Sequence, residues 1–341
     1  MKRLILLLIA LCLLLTGCVQ PGETEQKQFT ATFLTLFDTV TNITGFAESK
    51  EAFQEKAQTV HDELLVYHQL FDIYNDYPGV NNLKTVNDNA GIAPVAVDKK
   101  IIALLQDCKD YYELTGGKVN VAMGSVLRLW HEARNDSFND PLNAYLPDAE
   151  KLSQAAEHVD MSCVVIDEAA CTVFITDPQV RLDVGAVAKG WAVQQVSLIA
   201  PENMLLSVGG NVCATGPKDA KGTPWVIGIQ DPDNGSGHLH TLEVIGGSVV
   251  TSGDYQRNFA VDGKLYHHII DPVTLFPSEY WRSVSVVCED SGLADALSTA
   301  LFLLPKAEGQ QLLEKCDAKA MWLDRDGNLF YSPGFEEMIR T

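Results

Sequence analysis

Positive charge is scarce in this sequence. Against 45 Asp and Glu it carries 25 Lys and Arg, a formal charge of −20 over 341 residues. A chain this acidic lacks the electrostatic footprint that nucleic acid requires, so no nucleic-acid partner is expected. Beyond residue 15 there is no uninterrupted apolar run near the roughly 18 residues of a membrane-spanning helix. Also missing are a C-x-x-C pair, a Cys and His spacing suited to zinc, any internal repeat, and the G-x-S-x-G elbow of acyl-transferring hydrolases. Charged residues at 21% and hydrophobic residues at 46% exclude wholesale disorder. The length allows one large domain or two closely packed ones, with enough core to do without disulfides.

The one long apolar run, residues 4–15, follows Lys2 and Arg3 and reads as a secretion signal. It ends in Leu15-Thr16-Gly17-Cys18, which resembles the bacterial lipobox. That resemblance implies removal of residues 1–17 and lipidation of Cys18, leaving 23 basic and 45 acidic residues, a charge of −22. Residues 18–28 then form the lipidated cysteine and a polar tether, and 29–341 the folded domain. Acyl chains anchor without a spanning helix, so the expected location is extracytoplasmic, on the cell membrane.

Six cysteines remain, Cys108, Cys163, Cys171, Cys213, Cys288 and Cys316. Most sit in apolar stretches and read as free, buried thiols, although Cys163 and Cys171 flank a plausible hairpin.

Residues 29–46 are rich in Thr and β-branched side chains and predict strands. Phe53, Ala57, Val60, Leu64, Tyr67 and Phe71 recur at helical spacing and form one face of an amphipathic helix. Residues 72–91 read as loop. Asp98 can cap a helix carrying Ile101, Ile102, Leu105 and Tyr112 that stops at Gly116-Gly117. Residues 123–132 form a short apolar segment ending in Trp130, and 135–150 a polar, Pro-containing excursion. Strands are expected at 163–166, 172–175, 204–208, 225–229, 242–250, 320–323 and 328–331, the last two joined by Asp324-Arg325-Asp326-Gly327. Strand-turn-helix junctions fall at 183–196 and 284–304. The fold class is α+β, two closely packed lobes with mixed, largely antiparallel sheets and few long helices.

At the first junction, Asp183-Val184-Gly185-Ala186-Val187-Ala188-Lys189, an acidic residue closes a strand before a helix begins. Amide groups could face a phosphate with Lys189 adding charge, and carbonyls could face a cation. At the second, Asp295, Ser298 and Thr299 project from one helix face. Three oxygen donors suit a hard divalent cation, Mg²⁺ especially, though a dipole partner and a hydroxyl bonding back to its own helix would look the same. His267 and His268 read as neighbours on a strand, one exposed to solvent and one available as a general base, or both as ordinary surface residues.

Five motifs in order resemble the ApbE family of FAD:protein FMN transferases. They are Leu36-Phe37-Asp38-Thr39-Val40, Leu206-Ser207-Val208-Gly209-Gly210-Asn211, Thr251-Ser252-Gly253-Asp254-Tyr255, His267-His268-Ile269-Ile270-Asp271-Pro272 and Ala294-Asp295-Ala296-Leu297-Ser298-Thr299-Ala300. The resemblance implies Mg²⁺-dependent transfer of the FMN half of FAD to a threonine hydroxyl of a protein, with release of AMP. It implies FAD contacts from Phe37, Tyr74, Lys118, Val119, Asn120, Asp183, Lys189 and Ile270. It also implies a metal held by the Ala186 carbonyl, Asp295 and Thr299 with Ser298 as a further ligand, and His268 as the base. Acceptors would be exported or membrane-bound proteins, such as subunits of Rnf-type or sodium-pumping quinone reductase complexes. FAD hydrolysis at the same site and a tethered flavin carrier are the competing functions. Where many relatives have Gly after Asp-Pro-x-Thr, this chain has Leu275, so that turn is expected to be built differently.

Overall fold

The computed structural model describes residues 26–235 and 237–340. The signal segment and Cys18 lie outside the described residues, as does most of the tether. The expected boundary at 28 shifts, because Lys27 and Gln28 already pair with Ala47 and Phe46.

In chain order the strands are β1 (Lys27–Leu36), β2 (Thr39–Ala47), β3 (Val95–Ala96), β4 (Val164–Asp167), β5 (Thr172–Ile175), β6 (Met204–Val208), β7 (Asn211–Ala214), β8 (Trp225–Gln230), β9 (His238–Val244), β10 (Gly247–Gly253), β11 (Phe259–Val261), β12 (Lys264–Tyr266), β13 (Trp281–Cys288), β14 (Ala318–Asp324) and β15 (Leu329–Tyr331). Eight of them form one sheet in the order β1-β2-β6-β7-β10-β13-β14-β15, and every pairing in it is antiparallel.

Alternating side chains divide this sheet between two cores. Val250, Val284, Val286, Ala320 and Trp322 face the helices Lys50–Phe71, Ala188–Ser197 and Ser291–Phe302. Val249 and Met321 point the other way, under the β8–β9 hairpin with Trp225, Ile227 and Leu242. Full burial of each such side chain contributes about 1.5–3 kcal/mol, so both faces are firmly covered. A smaller lobe gathers Met123, Val126, Trp130, Leu152, Phe259 and Ile270 from the helices Gly124–Asn139 and Ala149–Ala156, the β11–β12 hairpin and the segment after it. The architecture is α+β.

The amphipathic helix and the Asp98 cap stand where the pattern placed them. Four segments differ. Residues 72–91 contain a helix, Leu83–Asp88, closed by a capping box between Asn82 and Thr85. The segment at 123–132 continues to Asn139, and the polar excursion includes the helix Ala149–Ala156, capped by Asp148. The single strand expected over 242–250 is two, because the chain reverses at Ile245-Gly246 and Gly247 takes φ +87°. β9 and β10 consequently belong to different sheets. All six described cysteines are free thiols, and Cys163 and Cys171 sit at the β4–β5 hairpin without bonding.

Candidate active site

The helices Ala188–Ser197 and Ser291–Phe302 cross in close contact because Gly190 has no side chain. A Cβ at that position would overlap the Ser291 carbonyl oxygen and the Asp295 Cβ, and would stand 3.0 Å from Asn211 Nδ2. This proximity lets the Gly190 amide donate to Asp295 Oδ2 at 2.8 Å. Gly190 is the third residue of its helix, where an N–H has no acceptor within the helix, so Asp295 caps it. The Ala186 carbonyl, two residues before the helix, receives no backbone N–H among the described residues. The contact holds the Asp295 carboxylate at the start of the helix that follows the Ala186 turn. Asp295 is 3% exposed, and its nearest cation is Lys189, with Nζ 3.4 Å from Oδ2.

Thr299, one turn after Asp295, is half-buried, and its hydroxyl is engaged by no other group among the described residues. Ser298 is differently disposed. Its hydroxyl donates to the Asp295 carbonyl oxygen at 2.9 Å and pairs with Ser252 Oγ at 2.8 Å, tying the helix to β10. A carbonyl without a backbone donor, a buried carboxylate and an unengaged hydroxyl form an all-oxygen donor set, which fits a hard divalent cation.

Asp183 ends the segment before the Ala186 turn. Its amide donates to the Val121 carbonyl at 2.8 Å, and its Oδ1 accepts from Gly185 N at 2.9 Å. Oδ2 faces His131 Nδ1 at 3.9 Å, and the same nitrogen lies 2.9 Å from the Tyr74 hydroxyl. Phe37, at φ +52°, donates its amide to His68 Nδ1 at 3.2 Å, and its carbonyl accepts from Arg257 Nη2 at 3.4 Å.

Lys118 pairs with Asp271 at 2.8 Å, joining the N-terminal contact residues to the His-His-Ile-Ile-Asp-Pro segment. A cleft of about 380 Å³ opens beside this pair, lined by Tyr112, Lys118, Asn120, Val159, Pro272 and Val273. Lys189 and Asp295 do not line it. Asn120 bonds the Val159 carbonyl and accepts from Ala122 N, and the Val119 and Ile270 side chains are buried in the core. These three therefore present mainly backbone to a ligand.

The histidine pair departs from expectation, because β12 ends at Tyr266 and neither ring is an ordinary surface residue. His267 is buried, donates Nε2–H to the Ser278 carbonyl at 2.7 Å, and accepts from Ile269 N at Nδ1. Both ring nitrogens are thus assigned to a neutral imidazole. Burial, above all, lowers its pKa to about 4. In His268, Nδ1 is buried without a partner among the described residues. Burial again dominates in lowering its pKa to about 3, with Arg257, His267, Lys189 and Arg134 adding to it. His268 is therefore a neutral acceptor ringed by cations.

The Leu275 turn also departs from expectation. It keeps a left-handed residue at that position, with φ +61° carried by leucine. Asp271 Oδ1 accepts from Val273 N and Thr274 N, the Leu275 amide donates to the Asp271 carbonyl, and Trp130 Nε1 donates to the Leu275 carbonyl. These bonds hold a conformation costing a side-chain-bearing residue about 1–2 kcal/mol.

Three site residues escaped the sequence reading, His131, Arg134 and Arg257. The first two lie three apart on one helix and so share a face, the only pattern that could have marked them.

The ApbE family model matches residues 37–322. The FAD:protein FMN transferase of Treponema pallidum is 36% identical over 279 residues, 76% of this chain and 75% of that protein. The protein of the same name from Klebsiella pneumoniae is 31% identical over 285 residues, 80% of this chain and 86% of the relative. The crystal structure of the ApbE protein of Thermotoga maritima superposes with a TM-score of 0.81 at 27% identity, covering 92% of this chain and all of that one.

Proposed function

The chain belongs to the ApbE family, and from that membership we propose that it is a flavin transferase moving the FMN half of FAD onto a threonine hydroxyl of a protein, with Mg²⁺ and with release of AMP. The observation that carries this reading is the bond from the Gly190 amide to Asp295, which fixes a buried carboxylate at the start of the helix that follows the Ala186 turn.

In the reaction the threonine oxygen bonds to the phosphorus of the FMN half, and the bond from that phosphorus to the oxygen bridging to AMP breaks. AMP leaves with the bonding electrons, and the acceptor hydroxyl gives up its proton. We assign its uptake to His268, a neutral imidazole whose buried Nδ1 has no partner among the described residues, which supports this role. Its pKa is low in the free protein chiefly because it is buried, with nearby cations adding to the shift, and the diphosphate of FAD raises it by offsetting those charges. Mg²⁺ would be held by the Ala186 carbonyl, Asp295 and Thr299, with Ser298 bracing that helical turn, and would neutralise charge developing on the phosphoryl oxygens. Lys189 adds a fixed positive charge at the same place. Tyr74, Asp183, Phe37 and the Lys118–Asn120 segment contribute binding surface for the dinucleotide.

We assign the acceptors to exported or membrane-bound proteins, with subunits of Rnf-type or sodium-pumping quinone reductases as candidates, and the enzyme to the outer face of the cell membrane through lipidated Cys18. Incubating residues 26–341 with FAD, Mg²⁺ and a candidate acceptor tests the chemistry. The expected result is addition of FMN mass to the acceptor with one AMP per label. AMP without labelling identifies a hydrolase, and neither product overturns the assignment.

A further inference from the structure

His131 takes no part in the transfer step, yet it stands where two walls of the candidate site meet. It follows Trp130 on the helix Gly124–Asn139. Trp130 packs against Phe259, Tyr266 and Phe276 and donates to the Leu275 carbonyl, which fastens this helix to the hairpin and turn bearing His268 and Asp271. Successive helical side chains diverge by about 100°, so His131 leaves the helix in a different direction. Its Nδ1 lies 2.9 Å from the Tyr74 hydroxyl and 3.9 Å from Asp183 Oδ2, and the Tyr74 ring centroid is 6.3 Å from the imidazole.

Tyr74 is fixed at its other end as well. Asp72 accepts from the amides of Tyr74 and Asn75 and from the Tyr77 hydroxyl, which pins the backbone of the turn. Tyr74 is nevertheless 59% exposed. An exposed aromatic ring on a fixed backbone would exchange rotamers freely unless its far end were held. The described residues supply one such hold, the hydrogen bond to His131. Imidazole can serve there because burial keeps it neutral against the pull of Asp183, while Arg134 and Arg257 act in the same direction as burial.

We propose that His131 is a positioning residue which locks the Tyr74 ring as a preformed flat wall for a planar ring of the dinucleotide, lowering the ordering cost of binding. This rests on the reading that FAD occupies this site with Tyr74 among its contacts. Residues 26–341 and variants are titrated with FAD alone, following flavin fluorescence, so that transfer is not needed for the readout. His131→Leu fills the volume but cannot hydrogen-bond, whereas His131→Gln can do both.

The expected result is an FAD Kd raised about tenfold by His131→Leu and by less than about threefold by His131→Gln. Tyr74→Phe should match His131→Leu, and the double variant should be no weaker than either single one, because both remove the same bond. Equal Kd values for His131→Leu and His131→Gln, or losses that multiply to about a hundredfold in the double variant, overturn the proposal while leaving the transferase reading in place. Absence of FAD binding by the unmutated protein overturns the transferase reading itself.

Discussion

The Gly190 amide nitrogen lies 2.8 Å from Asp295 Oδ2, across 105 residues of chain, and so caps a helix start from a second helix. This contact ties the close approach of two helices to the placement of a buried carboxylate. Geometry and chemistry at this point are therefore separable only by choosing which partner to alter.

Altering the glycine tests the geometry. Gly190→Ala drives a methyl group into the Ser291 carbonyl and the Asp295 Cβ, both of which belong to a packed helix. The expected loss is about 2–3 kcal/mol of stability, read as a lower urea midpoint, because overpacking of this kind forces backbone to move.

Altering the carboxylate tests the chemistry. Asp295→Asn can still accept from the Gly190 amide through its side-chain oxygen, so the melting temperature should fall by only a few degrees. Removing the negative charge should lower flavin transfer at least about a hundredfold, and raising Mg²⁺ should recover only part of it. Near-normal turnover would remove Asp295 from the metal site.

Acid should destabilise the fold in a defined window. His267 is held at a pKa of about 4, below the ordinary 6.5, so the unfolded chain binds its proton first as pH falls. Its contribution is complete above pH 6.5 and is lost progressively down to about pH 4, reaching about 3 kcal/mol. His268 shifts in the same direction. Urea unfolding at a series of pH values should show this slope, and His267→Gln should make it shallower.

The left-handed turn predicts a penalty specific to side-chain shape. Leu275 tolerates φ +61° at a cost, but a β-branched residue tolerates it less well. Leu275→Val should lose about 2 kcal/mol, from added strain and a smaller apolar contact, measured by urea unfolding. Unaltered stability would mean that the turn relaxes.

Much of this fold could be read in advance where one segment carries its own signal. The spacing from Phe53 to Phe71 and the Asp98 cap needed no partner, and Asp324-Arg325-Asp326-Gly327 specifies its hairpin locally. Legibility failed where a partner decides. Leu83–Asp88 is only six residues long and takes Thr85 in its capping box instead of Glu or Gln. The apolar run through Val244 and Val250 hides a reversal because its two halves cover different faces of different sheets. Within the site, oxygen-rich Asp295 and Thr299 announce themselves, whereas the burial of His267 and the meeting of His131 with Tyr74 depend on segments up to 57 residues away.

The Lys118–Asp271 pair closes a loop of 153 residues, and the Gly190–Asp295 contact one of 105. A nascent chain halted near residue 250 would already contain Tyr74, Lys118, Asp183 and Lys189, yet it could assemble neither closure. The catalytic pocket must therefore be among the last parts to mature. Truncation from the C-terminal side should abolish it abruptly instead of weakening it by degrees.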